Sequence, residues 1–507
     1  MAIFKMTPNI GPRDSIFCTA ESCTSSGTAF SISGTEGDSV GSPGPSSVPN
    51  RNIGSILPVT TELKLKTATL TVMLNITDLR NTTYDPATVM PRAKLEVSDA
   101  SAIVQPIIDQ VRRHGVSAVQ DLTERFDGVR PDSLRVPAEA MVKALDELDD
   151  DVRAALEESI ARARAVHAAQ LPPDTVVPLA DGASVENHWI PIQRVGLYVP
   201  GGRAVYPSSV IMNVVPAQAA GVPGLAITSP PQTEFGGLPH PVILAACQLL
   251  GVDEVYATGG AQAIAMLALG ADDETGQTVC EPVDLITGPG NVYVAAAKQA
   301  FFGQVGIDAV AGPSEILVLA DDTANPEWVA TDLISQSEHD PLAASVLVTD
   351  SMKLAEAVVA EIDAQVPGAP LEDQIREALT GQQSGVLVVD SMDDAIDVAN
   401  GIATEHLEIQ TADNEAVLEK ITHAGAIFMG PYSPVPLGDY SAGSNHVLPT
   451  SGTARFSSGL NTASFLRLQQ HIRYNKTGLE PIAKGIEALA ASEGLHAHAE
   501  AIARRFE

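Results

Sequence analysis

The chain has 507 residues, of which 45% are hydrophobic and only 4% aromatic, and it carries a formal net charge of −33. That length allows roughly three domains of about 150 residues each, while the charge argues against nucleic acid and anionic membranes, whose phosphates demand Lys and Arg on the contact face. Four cysteines, at Cys18, Cys23, Cys247 and Cys280, give neither a disulfide framework nor a four-thiolate zinc site, a pattern suited to a reducing cytoplasm.

Residues 1–50 hold ten serines among scattered Gly and Pro and show no helical or strand period. Such a composition cannot offset its ordering entropy, so disorder is expected there. Basic and acidic residues balance across 1–72, and the whole net charge falls on residues 73–507. Met73 opens MLNITDLR where the charged, periodic sequence begins. Residues 1–72 therefore read as a disordered extension, explained most simply by an upstream start site, and 73–98 as an arm. No stretch reaches the roughly 18 apolar residues of a membrane span, and no secretory leader pattern is present.

From residue 99 the pattern turns helical, with Val104, Ile107, Ile108 and Val111 on one face, and a longer helical stretch covers about 138–169. Strands then alternate with helices. The runs RVGLYV, GLAITS, EVYAT and VDLITG are separated by helical stretches at about 208–220, 239–251, 262–269 and 291–302. A second series, EILVLAD, ASVLVTD, GVLVVD and AIFMG, alternates with helices near 327–338, 352–364, 392–402 and 414–423. This βαβ rhythm predicts two α/β domains with parallel sheets. The tail from about 478 returns to helix.

The Gly-x-Gly-x-x-Gly dinucleotide fingerprint is absent. Strand ends carry instead Gly201-Gly202, Gly259-Gly260-Ala261-Gln262 and Gly288-Pro289-Gly290-Asn291, where an open α/β sheet binds ligands and glycine lets a ligand approach the backbone. On spacing alone, tight turns without a ligand explain them equally well. Gln336 and His339, three apart at the end of a helix, project from one face; with Asp439 and His498 they form a set of O and N donors suited to zinc, although manganese or cobalt also fits. Glu405-His406 stands at a helix-to-strand transition and offers two bases of different type, as oxidation of an alcohol and then of an aldehyde requires. An isolated Glu-His pair is more often a solvated helix end.

In chain order, VGLYVPGG, GGAQAIA, TGPGNVYVAAAK, the span Ile307 to Asp340 with IDAVAGPSEILVLAD and DLISQSEHD, ATEHLEIQT and LGDYSAGSNHVLPT closely resemble the histidinol dehydrogenase family from about residue 73 to the C-terminus. The resemblance implies two incomplete Rossmann-like parallel-sheet domains with a C-terminal helical extension. The first domain would comprise 99–196 and 311–459, the second, on the NAD side, 197–310, and the extension 460–507. It implies oxidation of L-histidinol to L-histidine with two NAD and water, and one zinc per subunit held by Gln336, His339, Asp439 and His498. Glu405 would activate water, and His406 would act as general base. Substrate contacts would come from Ser314, His446 and Glu493 besides His406 and the metal ligands. NAD contacts would come from Tyr198, Gln262 and Asn291. The family pattern is an intertwined homodimer, in which Glu493 and His498 serve the partner's site. Cys247 and Cys280 match no family role, which argues against an acyl-thioester mechanism. Rival readings are a same-fold NAD dehydrogenase of another small alcohol, a metal-dependent hydrolase using Glu405, and an idle metal-binding scaffold.

Overall fold

Short apolar runs alternating with amphipathic stretches fold into parallel strands joined by crossover helices, because a strand buried on both faces needs helices on both. The computed structural model describes residues 73–93, 97–201, 205–310 and 312–507; the expectations for residues 1–72 and for Gly202 lie outside this range. The chain opens with β1 (Ile76–Asp78), α1 (Val97–Asp127), α2 (Ala138–Asp146) and α3 (Asp150–Ala169), followed by β2 (Thr175–Ala180), β3 (Ala183–Pro191) and β4 (Arg194–Tyr198). Next come α4 (Pro207–Ala219), β5 (Gly224–Ser229), α5 (Pro241–Leu249), β6 (Val255–Ala257), α6 (Gly260–Leu269), β7 (Ala271–Asp272) and β8 (Thr278–Cys280). They lead to β9 (Leu285–Thr287), α7 (Val292–Phe301), β10 (Gly306–Ile307), β11 (Glu315–Ala320), α8 (Pro326–Ser337), β12 (Ala344–Thr349) and α9 (Met352–Gln365). The rest comprises α10 (Glu372–Thr380), β13 (Gly385–Val388), α11 (Met392–Ile402), β14 (His406–Gln410), α12 (Asn414–Leu418) and β15 (Ala426–Met429). Helix α13 (Val435–Tyr440), strand β16 (Leu466–Tyr474), and helices α14 (Lys476–Ser492) and α15 (His496–Ala503) complete it.

Two parallel sheets form the body, one of six strands in the order β1-β13-β12-β11-β14-β15 and one of five in the order β10-β9-β4-β5-β6. Alternate residues of β11 serve opposite cores: Ile316, Val318 and Ala320 join one cluster with α8 and α9, while Leu317 and Leu319 join another with α11. The expected α/β class is thus present, with a helix layer on each face of both sheets. Among the described residues no helix is long and apolar enough to cross a membrane.

Three features differ from the sequence reading. Helices α1 to α3 pack on α4 to α7 and so cover the five-stranded sheet, rather than grouping with residues 311–459. Periodicity shows that a helix has an apolar face but not which sheet that face meets. The expected stretch 138–169 is two helices, because the Asp149 carboxylate accepts the amides of Asp151 and Val152 and starts α3 anew. Residues 460–507 are not all helix: β16 pairs antiparallel with β3 over nine residues, and β2 joins them in a three-stranded ribbon. Helix α14 packs on that ribbon, and α15 packs on α14.

Candidate functional site

A cleft of about 450 Å³ opens where two kinds of strand end meet. From the five-stranded sheet come the segments that follow its strands, Tyr206 to Ser209 beyond β4 and Gly288 to Asn291 beyond β9. From the six-stranded sheet come segments preceding its strands, Ser314 before β11, His339 and Asp340 before β12, and Glu405 with His406 at the start of β14. The carboxyl-end rule therefore holds for one sheet, while the other presents its amino edge.

Parallel pairing of β11 with β14 places Ile316 beside His406, which brings Ser314 and Glu315 against Glu405. Glu405 Oε2 accepts the Ser314 hydroxyl at 2.6 Å and the Glu315 amide at 2.9 Å. Burial pushes the Glu405 carboxyl up to about 7, and those two hydrogen bonds oppose the rise. Ala403 turns the chain out of α11 with a left-handed φ of 51°, directing the next residues into the cleft edge. His406 Nδ1 lies 3.0 Å from the Glu315 carbonyl. A carbonyl only accepts, so Nδ1 carries the proton and Nε2 keeps its lone pair. Burial also lowers the His406 pKa, favouring the neutral base.

Gln336 ends the last turn of α8, His339 follows just past it, and α13, which carries Asp439, packs on α8. The start of α13 is fixed by the Val435 amide, which donates to buried Glu408 at 2.9 Å. His339 Nε2 stands 3.9 Å from Asp439 Oδ2, and His446 Nδ1 stands 3.8 Å from Asp439 Oδ1. Burial raises the Asp439 pKa, against the pull of the His406 and His339 imidazoles. His446 Nδ1 donates to the Asp439 carbonyl at 3.2 Å, so Nε2 can accept the Ser209 hydroxyl at 3.3 Å; burial pulls its pKa down to about 4. Gln336 is 1% exposed, yet neither its amide oxygen nor its nitrogen has a partner. An orphaned buried amide costs about 1–3 kcal/mol. Gln336 is not among the cleft-lining residues, but an amide without a partner, an imidazole and a carboxylate are together the donor types that a borderline divalent cation uses, so the residue types fit zinc.

Of the NAD residues, Asn291 lines the cleft and caps α7 by accepting the Tyr293 and Val294 amides at 3.0 and 3.2 Å. Tyr198 and Gln262 are buried and are not among the cleft-lining residues; the Tyr198 hydroxyl accepts the Gly260 amide at 3.2 Å, and the Gln262 side-chain nitrogen has no partner. Glu493 and His498 are exposed near the junction of α14 and α15, and they too are not among the residues lining this cleft.

Sequence reasoning missed a buried ion pair beneath the Gly-Pro-Gly-Asn turn. Lys298 on α7 pairs with Asp308, donates to the Gly288 carbonyl at 3.0 Å, and leaves Asp308 Oδ2 to accept the Gly288 amide at 2.8 Å. Gly288 has φ 116°, and a Cβ there would overlap the Tyr198 carbonyl, so the turn needs glycine. The available signal was a lysine inside the apolar helix VYVAAAKQAF, which a buried partner explains.

A sequence profile described as histidinol dehydrogenase matches residues 90–506. The chain is similar to the histidinol dehydrogenase of Thermobifida fusca, 58% identical over 428 residues, covering 84% of this chain and 96% of the relative. It is also similar to that of Bifidobacterium longum, 55% identical over 441 residues, with 86% and 94% covered. Among solved structures, the crystal structure of histidinol dehydrogenase from Elizabethkingia anophelis superposes with a TM-score of 0.80 at 33% identity, covering 86% of this chain and 98% of that one. The chain belongs to the histidinol dehydrogenase family of NAD-dependent oxidoreductases.

Proposed function

We propose that the chain oxidises L-histidinol through the aldehyde to L-histidine, consuming two NAD and one water, with one zinc ion per subunit. The observation that carries this reading is the convergence of Glu405, His406, His339, Asp439 and His446 on one cleft; the buried, unpartnered amide of Gln336, three residues before His339 in the chain, supports it. In the first oxidation a hydride leaves the carbinol carbon for NAD and the hydroxyl proton goes to His406, whose Nε2 is left free by the bond from Nδ1 to Glu315. In the second, Glu405 would take a proton from the water that attacks the aldehyde, and the second NAD would accept the hydride lost from the hydrated carbon as the carboxylate forms. A carboxyl poised near 7 suits that task, since the ideal base has a pKa near the working pH. General base assistance typically contributes roughly 10²–10⁴-fold to each step.

Gln336, His339 and Asp439 would hold the zinc together with His498 from a second copy of the chain. When bound, the ion supplies a fixed positive anchor for the substrate's imidazole and amine. Ser314 and His446 line the same cleft and would contact the substrate. Glu493 of the second copy would also contact the substrate, an acidic side chain suited to a cationic ligand. Asn291, Tyr198 and Gln262 would serve NAD at and beneath the Gly-rich turns. Keeping the aldehyde bound between two hydride transfers holds it in near-attack geometry, an effect worth up to about 7–11 kcal/mol of barrier.

The homodimer is supported by apolar side chains left in the open on the ribbon and C-terminal helices, among them Val176 (63% exposed), Ile472 (72%) and Leu489 (67%). The free, buried thiols of Cys247 and Cys280 accord with a cytoplasmic setting.

The test is NADH formed from a limiting, known amount of L-histidinol, before and after chelation and zinc add-back. Two NADH per histidinol, abolished by chelation and restored by zinc, is the expected result. One NADH would mean that the aldehyde escapes, and metal-dependent turnover without NAD would favour a hydrolase.

A further inference from the structure

Away from the cleft, the antiparallel ribbon gathers metal-ligating side chains that the oxidation does not use. Glu186 and His188 stand two apart on β3 and so share a face, and His471 lies directly opposite Glu186 on β16. One ligand atom from each of the three lies within 4.8 Å of the other two, and all three residues are half-buried. His188 is held from both sides: Nδ1 is 2.8 Å from Asp174 Oδ2, and Nε2 is 3.1 Å from Glu186 Oε2. Asp174 is itself fixed, since its other oxygen accepts the Trp189 amide at 2.9 Å.

With the Nδ1 proton given to Asp174, Nε2 carries a lone pair that faces a carboxylate oxygen. Two acceptors at that distance require a positive species between them, either a proton or a metal cation. The neighbouring ring favours the metal. His471 sits with its centroid 4.3 Å from that of His188 and tilted by 38°, bringing a further nitrogen donor for which a proton shared by His188 and Glu186 has no use. A carboxylate that orients the far nitrogen of a ligand histidine is the usual outer partner of zinc-type sites. Arg473 Nε, 2.6 Å from Glu186 Oε1, occupies the other oxygen of that carboxylate and leaves Oε2 available.

We propose that Glu186, His188 and His471 bind a divalent transition-metal cation of the zinc class, with Asp174 orienting His188 and water completing the coordination. The ion would clasp β3 to β16, the strand that runs directly into α14.

The experiment is equilibrium dialysis of the full-length protein against zinc, with metal counted per subunit for the wild type, His188→Ala and His471→Ala. Comparing them cancels whatever zinc the cleft holds. Each variant is expected to bind about one equivalent fewer while keeping wild-type NADH formation, and Asp174→Asn to keep the site with affinity weakened roughly 10–100-fold. Unchanged zinc content in both alanine variants overturns the proposal and leaves His188 as a protonated imidazole between two carboxylates. The two substitutions lie on different strands, so a folding failure in one leaves the other to decide.

Discussion

The body and the arm formed by the ribbon β2, β3 and β16 with helices α14 and α15 solve the burial problem in opposite ways. Every residue of β11, β13 and β14 is buried, with helices on both faces, whereas β2 is exposed throughout and β16 almost throughout. The body can therefore afford ionisable groups out of water, where burial raises Glu405 and Asp439 and lowers His406 and His446. The arm leaves Ile472 and Leu489 uncovered, and its two proposed site residues, Glu493 and His498, stand in solvent. These groups with pKa values shifted by burial lie in the body; in the proposed homodimer, what the arm contributes would depend on a second surface.

That contrast can be broken first on the body side. His406→Asn is expected to lose about 10²–10⁴-fold in oxidation of both histidinol and histidinal, while Glu405→Gln loses a similar factor mainly in the aldehyde step. Single-turnover kinetics with each substrate checks this, and equal losses in both steps for the Glu405 variant would contradict the division of roles. Lys298→Met strands Asp308 in the interior and is expected to cost about 3–5 kcal/mol in urea unfolding, loosening the Gly288 turn with it. A cost below about 1 kcal/mol would show that the pair is not structural.

On the arm side, Ile472→Asp places a charge on an open apolar position. Light scattering is expected to show a shift towards monomer, with NADH formation falling in parallel and the body's unfolding midpoint unchanged. Retention of the dimer would move the interface elsewhere. The smallest effect concerns stability. A carboxyl raised from 4.5 to about 7 in the fold opposes folding above its folded pKa and is without cost below its unfolded one. Glu405→Gln is therefore expected to stabilise the protein by about 1–3 kcal/mol at pH 8, with the gain vanishing as pH falls below about 4.5.

The same contrast explains what could be read from sequence. EILVLA, ASVLVT and GLAITS announce themselves because a strand covered on both faces is apolar along its length. VENHWIP and LRLQQHIRY carry no such mark, since their strand character arises from pairing with each other across the chain. The proposed catalytic pair was visible only as part of a motif series, as Glu405-His406 alone is an ordinary helix end. Its hydrogen bonds to Ser314 and Glu315 follow from parallel register, which no local pattern encodes. Lys298 with Asp308 stayed hidden for the same reason, and the association of α1 to α3 with the five-stranded sheet depended on packing rather than period.

The claim that one site is built from the body of one chain and the arm of another is tested most directly by mixing two inactive proteins, His406→Asn and His498→Ala, after co-refolding. In a hybrid dimer one site carries both substitutions and the other carries neither, so random pairing is expected to restore about a quarter of wild-type NADH formation from L-histidinol. No recovery, with hybrid dimers shown to be present, would contradict a shared site.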